Sequence, residues 1–158
     1  MSAVLAAAQP FAAEGAPAKA AAPSIAVVLL GTGVVGGALL KLLNTPAAAS
    51  LRLVGAANSR RQQTDAASLA SRSLREQLDR RGDARDNAVL LAALDASGAA
   101  VRVIVDATAS APLASRHAEW LARGYHGVTA NKALAGGDLT GWRALQSALA
   151  HGGRYGDS

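Results

Sequence analysis

Short aliphatic runs alternate with longer amphipathic stretches from residue 24 to the end of this 158-residue chain. Four of the short runs have the length and β-branched content of strands: 24–30, 51–57, 101–107 and 126–130. Helices are predicted between and after them, at 35–43, 64–81, 86–96, 112–123 and 138–149, and a last strand would begin near Arg154. Because such alternation builds βαβ units, the sequence predicts an α/β fold, a Rossmann-type doubly wound parallel sheet with helices on both faces.

The first 23 residues have a different character, since they are rich in alanine and have prolines at positions 10, 17 and 23. They lack the basic start of a signal peptide, so we interpret 1–23 as a flexible leader or linker and 24–158 as one cofactor-binding domain. No apolar run approaches the roughly 18 residues that a membrane span needs. The sequence therefore predicts a cytoplasmic protein with no membrane partner.

The composition narrows the remaining classes of function. The net charge is +5, but the basic residues are dispersed and only 3% of the chain is aromatic, which argues against nucleic acid as a partner. Cysteine is absent, and His117, His126 and His151 lack the spacing of metal ligands, so no metal site is expected. His117 and Trp120 lie one turn apart on a predicted helix, which indicates packing.

A glycine-rich segment directly follows the first predicted strand and directly precedes the first predicted helix. Gly31 would allow a tight turn, Gly33 a close backbone approach to a pyrophosphate, and Gly36 close packing of the helix on the strand. The pattern predicts dinucleotide binding, with a purely structural glycine turn as the alternative. The candidate cofactor-binding residues are Gly31, Thr32, Gly33, Val34, Val35 and Gly36.

The second predicted strand ends at Ala57, where a dinucleotide site reads the adenosine ribose. NAD-preferring sites usually have an acidic residue there, whereas this chain continues with Arg60 and Arg61. A guanidinium can bind a 2′-phosphate through two hydrogen bonds, so the sequence favours NADP, with NAD possible. Ala57 and Arg60 are added to the candidate cofactor residues, and at least one of the two arginines is expected only to be solvated.

Polar residues also follow the third and fourth predicted strands, at the edge of the sheet where ligands bind. Thr108 and Ser110 could contact the cofactor or cap the next helix, and Asp106 is expected to order the turn. After the next strand, Lys132 could hold the nicotinamide half or stabilise negative charge on a substrate oxygen, whereas Asn131 would cap the local turn.

Taken together, these motifs resemble the N-terminal cofactor domain of homoserine dehydrogenase, most closely that of bifunctional aspartokinase–homoserine dehydrogenases. The similarity rests on segments 27–43, 51–61, 103–110, 124–137 and 154–158. It implies NAD(P)H-dependent interconversion of L-aspartate 4-semialdehyde and L-homoserine, in threonine and methionine biosynthesis. It further implies a homo-oligomeric full-length enzyme whose catalytic lysine and substrate site lie in a following domain.

No catalytic residue is therefore expected within these 158 residues, and the isolated chain should bind cofactor without turnover. Two alternatives remain open at this point. One is a non-catalytic NADP-binding module, and the other is the cofactor domain of another semialdehyde dehydrogenase.

Overall fold

The computed structural model describes residues 24–133, 137 and 139–157. Its strands are β1 (Ile25–Leu30), β2 (Leu51–Ala57), β3 (Arg61–Thr64), β4 (Asp83–Ala84), β5 (Val101–Asp106), β6 (His126–Thr129) and β7 (Tyr155–Asp157). Its helices are α1 (Val34–Leu43), α2 (Leu74–Arg81), α3 (Asn87–Ala96), α4 (Ala111–Ala114), α5 (His117–Ala122) and α6 (Leu139–Ala150). The predicted leader and Asp138, the predicted cap of the last helix, lie outside the described residues.

The strands form one sheet in the order β4-β3-β2-β1-β5-β6-β7. The first strand is central and pairs in parallel with β2 and β5, and the parallel ladder continues through β6 to β7. Strand order thus reverses direction beside β1, which is the topology of a doubly wound sheet. The predicted α/β fold with a Rossmann-type sheet is confirmed.

Alternation along β1 divides the core between the two faces of the sheet. Val28 and neighbouring inward residues pack with Leu90 and Leu94 of α3 and with Trp120 of α5. Residues such as Leu29 on the opposite face pack with side chains of α1 and α2. The last helix, α6, packs mainly on α5, and Tyr155 of the edge strand β7 packs against the same cluster. Among the described helices, none is both long and apolar enough to cross a membrane.

The prediction of a helix is wrong for the first half of residues 64–81. The chain turns back after β2, and Arg61–Thr64 forms the antiparallel strand β3 against it. The Asn58 side-chain oxygen accepts from the backbone N–H groups of Arg60 and Arg61 at 2.8 and 2.7 Å, which stabilises the turn. Beyond the turn, the N–H groups of Asp65 and Leu69 donate to carbonyls of β2 at 2.9 and 2.6 Å, so the helix begins only at Leu74.

The helix predicted at 112–123 is also divided, into α4 and α5. The Ser115 hydroxyl donates to the Pro112 carbonyl at 2.9 Å where the first of them ends. Such a side-chain bond competes with the continuing helical ladder. The division places His117 at the start of α5, facing the sheet.

Part of the sheet face on the α1 side is not covered by any of the described helices. An apolar groove of about 600 Å³ runs across β1, β5 and β6 between α1 and β7. Val27, Val103 and Val105 form its floor, and Val35 and Leu39 of α1 form one wall.

Candidate functional site

A crevice of about 940 Å³ opens where β1, β2 and β5 end. This volume lies within the roughly 300–1,000 Å³ typical of small-molecule sites, and ligands of doubly wound sheets bind at this edge. Three loops border it, namely the glycine loop, the turn after β2 and the turn after β5. Its lining includes Gly31, Thr32, Gly33, Asn58, Ser59, Arg60, Arg61, Arg75, Asp79, Arg85, Ala107, Thr108, Ala109, Ser110 and Leu113.

The three glycines of the first loop have distinct steric settings. Gly31 has φ +94°, and a Cβ there would lie 2.8 Å from the Ala107 carbonyl oxygen. A Cβ on Gly36 would overlap the Gly31 carbonyl oxygen, so that glycine lets α1 start directly against the loop. A Cβ on Gly33 would meet nothing within 4 Å. The protein packs tightly behind the loop and leaves space over Gly33, on the crevice wall.

The start of α1 is suited to an anionic ligand. Gly33 precedes the helix without a capping side chain, and the first turn contains no acidic residue. The N–H groups of a first helical turn have no partner within the helix, and the helix dipole is positive at that end. A phosphate placed beside Gly33 would satisfy both.

Backbone hydrogen bonds fix the loop to its neighbours. The Gly31 N–H donates to the Ala57 carbonyl at 2.7 Å, and the Ala107 N–H donates to the Leu30 carbonyl at 2.8 Å. Ala57 itself is fully buried, with an exposed fraction of 0%. Its visible role is therefore to hold the glycine loop at the end of β2.

Four arginines line the crevice: Arg60, Arg61, Arg75 and Arg85. The sequence identified the first two, but Arg75 reaches the site from α2 and Arg85 from the loop after β4. The turn after β2 contains no carboxylate, but α2 brings Asp79 to the crevice lining. The Asn58 side-chain amide donates to Asp79 at 3.0 Å. The wall remains strongly cationic.

Arg85 is the arginine with the most restricted environment. Its Nη1 donates to the Asn58 carbonyl at 2.8 Å and its Nε to the Asn87 side chain at 3.3 Å. Its Nη2 is buried and has no hydrogen-bond partner among the described residues. Burial lowers the pKa of Arg85, against the opposing attraction of Asp106. A half-buried guanidinium with an unsatisfied N–H group is suited to an anionic or strongly accepting ligand.

Behind the turn after β5 lies a polar cluster centred on Asp106, which is 1% exposed. One carboxylate oxygen accepts from the backbone N–H and the hydroxyl of Thr108, at 2.9 and 2.7 Å. The other lies 2.8 Å from His117 Nε2 and accepts from the Asn131 amide at 3.0 Å. Burial acts to raise the pKa of Asp106, but hydrogen bonds from His117, Thr108 and Asn131 outweigh it and hold the pKa below its ordinary value.

The predicted roles of Asp106 and Asn131 agree with these contacts. Asp106 orders the turn, and the Asn131 side-chain oxygen caps the local turn by accepting from the Ala133 N–H at 3.1 Å. His117 does pack against Trp120, with ring centroids 5.5 Å apart, but packing is only part of its role. A helical spacing in the sequence could not reveal a buried carboxylate on another element.

The remaining candidate cofactor-binding residues lie partly on the crevice and partly outside it. Thr108 and Ser110 line the crevice, and the Ser110 hydroxyl caps the next helix by accepting from the Leu113 N–H at 3.4 Å; their contact with a cofactor stays a prediction. Val34 is 92% exposed beside the loop, and Val35 lines the apolar groove instead. Lys132 is exposed after β6 and is not part of the crevice lining. Its contact with a cofactor stays a prediction.

The segment that contains the glycine loop and the crevice-lining turns matches a known protein family. The family model of the homoserine dehydrogenase NAD-binding domain matches residues 31–155. The chain belongs to this family. The resemblance found in the sequence motifs is thereby confirmed. Membership of this oxidoreductase family supports a nicotinamide cofactor. No curated protein is significantly similar to the chain in sequence.

Solved structures share the fold of this homoserine dehydrogenase NAD-binding domain. A Candida auris protein of unknown function matches with a TM-score of 0.73 at 22% identity, over 87% of this chain and 39% of its own. Homoserine dehydrogenase from Thermoplasma acidophilum matches with 0.61 at 20% identity, over 85% and 42%. A putative homoserine dehydrogenase from Archaeoglobus fulgidus matches with 0.60 at 22% identity, over 84% and 42%. The chain thus spans about two fifths of each of these proteins.

Proposed function

We propose that this domain binds NADP(H) in preference to NAD(H), as the cofactor-binding part of a cytoplasmic homoserine dehydrogenase. The observation that supports this preference is the set of four guanidinium groups on one crevice wall, opposed by the single carboxylate of Asp79. A 2′-phosphate is the feature that separates NADP from NAD. It would find several cationic partners there and little repulsion.

The described residues suit the different parts of such a cofactor. The glycine loop and the start of α1 would hold the pyrophosphate, and Arg60, with Arg75 or Arg85 beside it, would hold the 2′-phosphate. Thr108 and Ser110, and Lys132 after β6, would approach the nicotinamide half. The bound cofactor would supply or accept the reducing equivalents that interconvert L-aspartate 4-semialdehyde and L-homoserine, a step toward threonine and methionine.

Arg60→Ala tests the cofactor preference. We expect NADPH affinity to fall by roughly 5- to 150-fold, because a charge-assisted hydrogen bond contributes about 1–3 kcal/mol, while NADH affinity changes little. The measurement is fluorescence or calorimetric titration of both cofactors. Arg81→Ala is the matched control, since Arg81 is an exposed arginine of α2 outside the crevice lining. Equal losses for NADPH and NADH would contradict the assignment of the 2′-phosphate to Arg60.

A second prediction concerns turnover. The structures that this domain resembles are more than twice its length, and we propose that the substrate site, proton donor and homo-oligomer interface belong to chain beyond the cofactor domain. The purified 158-residue chain should therefore bind NADPH without producing NADPH from homoserine and NADP. Absorbance at the reduced-nicotinamide band checks this, and homoserine-dependent NADPH formation by this chain alone would disprove it.

A further inference from the structure

A chain of buried hydrogen bonds connects the edge strand β7 to the turn that lines the crevice. The Tyr155 hydroxyl of β7 lies 2.9 Å from His117 Nδ1 on α5. His117 Nε2 lies 2.8 Å from one oxygen of Asp106, whose other oxygen accepts from the Thr108 N–H and hydroxyl. Thr108 is part of the crevice wall. Four residues on three elements thus form one continuous polar path.

The pKa shifts of Asp106 and Tyr155 indicate which groups along this path donate. The lowered pKa of Asp106 leaves a carboxylate that can only accept, so His117 Nε2 must carry a proton and donate. Burial, followed by the charges of Asp157 and Asp106, raises the pKa of Tyr155 to about 12. Tyr155 therefore keeps its proton, and its hydroxyl can donate a hydrogen bond to His117 Nδ1 when the ring proton is on Nε2. In this tautomer every group of the path has a partner.

Apart from Thr108, the residues of this path lie behind the crevice wall and do not line the crevice. His117 is 3% exposed and is not part of the crevice lining, so it cannot contact a ligand there. Asn131 reinforces the same turn, because its amide donates to Asp106 and also to the Ser110 carbonyl, at 3.0 and 2.9 Å. Both Thr108 and Ser110 are therefore held through the side chain of Asp106 and its neighbours.

The Tyr155 end of the path depends on how β7 is seated. Its ring lies over Gly127 of β6, where a Cβ would come within 2.8 Å of the ring. β7 is a short edge strand, and in the described sheet it pairs only with β6. We therefore expect the Tyr155 ring to pack on Gly127, and its hydroxyl to bond to His117, at the same time.

We propose that His117 is a positioning residue for the nicotinamide half of the cofactor. Through Asp106 it fixes the turn at Thr108 and Ser110, and through Tyr155 it makes the geometry of that turn depend on the docking of β7. The inference rests on the proposed cofactor function. It predicts an effect concentrated on one half of the ligand, because the hydrogen bonds that hold the glycine loop to β2 and Arg85 to Asn58 do not involve Asp106 or His117.

The test compares two His117 variants of the 158-residue chain against two ligands. His117→Gln keeps an N–H group near the position of Nε2, whereas His117→Met has similar volume but no donor. The ligands are NADPH and adenosine 2′,5′-bisphosphate, which contains the 2′-phosphate but no nicotinamide. We expect His117→Met to weaken NADPH about tenfold, the effect of one lost hydrogen bond to a charged group, and to change the fragment's affinity by less than about twofold. His117→Gln should restore most of the NADPH affinity.

Other outcomes would overturn the inference. Equal weakening of both ligands by His117→Met would show a general structural role, and unchanged NADPH affinity would show none. Tyr155→Phe, which keeps the ring over Gly127, should lower NADPH affinity by about two- to fivefold, and no change would disprove the link to β7. This variant remains informative if His117→Met does not fold. If the unsubstituted chain binds neither ligand, it is the proposed function that fails.

Discussion

Gly36→Ala should destabilise this domain, whereas the same substitution one residue later, at Gly37, should stabilise it. A Cβ at Gly36 would overlap the backbone carbonyl of Gly31, which cannot move without displacing the glycine loop. At Gly37 the nearest atom, the Thr32 carbonyl oxygen, is 3.9 Å away. We expect a loss of about 1–3 kcal/mol in the free energy of unfolding at Gly36 and a gain of about 0.5–1 kcal/mol at Gly37.

Urea denaturation of the two variants measures both changes in the same helix. Gly36→Ala should also weaken NADPH, because the shifted loop no longer presents the start of α1 to a phosphate, whereas Gly37→Ala should bind normally. Changes of the same sign at both positions would show that helix propensity, and not contact with the loop, governs this segment.

Asp106→Ala should cause the largest loss of stability that we expect from a single side chain of the site. Removing the carboxylate leaves buried donors on Thr108, His117 and Asn131 without their acceptor. Leaving one side of a buried charged network unpaired costs about 3–5 kcal/mol. Glu119→Ala is the control, because it removes an exposed ion pair with Arg116 and should cost about 1 kcal/mol or less. Equal losses in the two variants would contradict a buried network.

The same carboxylate should make stability depend on pH. The folded pKa of Asp106 is lowered from its ordinary value of 3.8, so its stabilising contribution is complete above that pH and is lost as the pH falls through the folded pKa. The difference in unfolding free energy between the unsubstituted chain and Asp106→Asn should therefore narrow below about pH 4. The titratable neighbours of Asp106 are His117, Arg85 and Tyr155, and urea titrations at pH 7 and pH 3 provide the comparison. A constant difference would show that Asp106 is not ionised in the fold.

The local sequence pattern was sufficient to predict an element where the segment could satisfy its backbone hydrogen bonds in only one way. The continuously apolar run at β1 must be buried on both faces, and the glycines after it permit the sharp turn into α1, so both elements were predictable. The segment after β2 had two options, because polar residues with helical propensity follow Asn58. The turn at Asn58 and the open edge of β2 selected a strand, and neither signal is visible in helical periodicity.

The residues of the site likewise divide into those that the sequence could place on the crevice and those that it could not. Gly31, Arg60 and Thr108 lie within three residues of strand ends, so the strand order places them on the crevice. Arg75 and Arg85 lie in segments whose path across the crevice depends on the hairpin of β2 and β3. The sequence shows that both residues are basic, but it does not show that they line the crevice.

The sequence by itself determined the alternating α/β class, the glycine loop and the family, because these depend on residues adjacent along the chain and on hydrophobic periods that act locally. Only the tertiary structure decided that four arginines share one wall, that Asp79 joins them, and that His117 connects Asp106 to Tyr155. The physical reason is that burial and hydrogen bonding act over a few ångströms in space. Asp106, His117 and Tyr155 come within that range only after the sheet has formed.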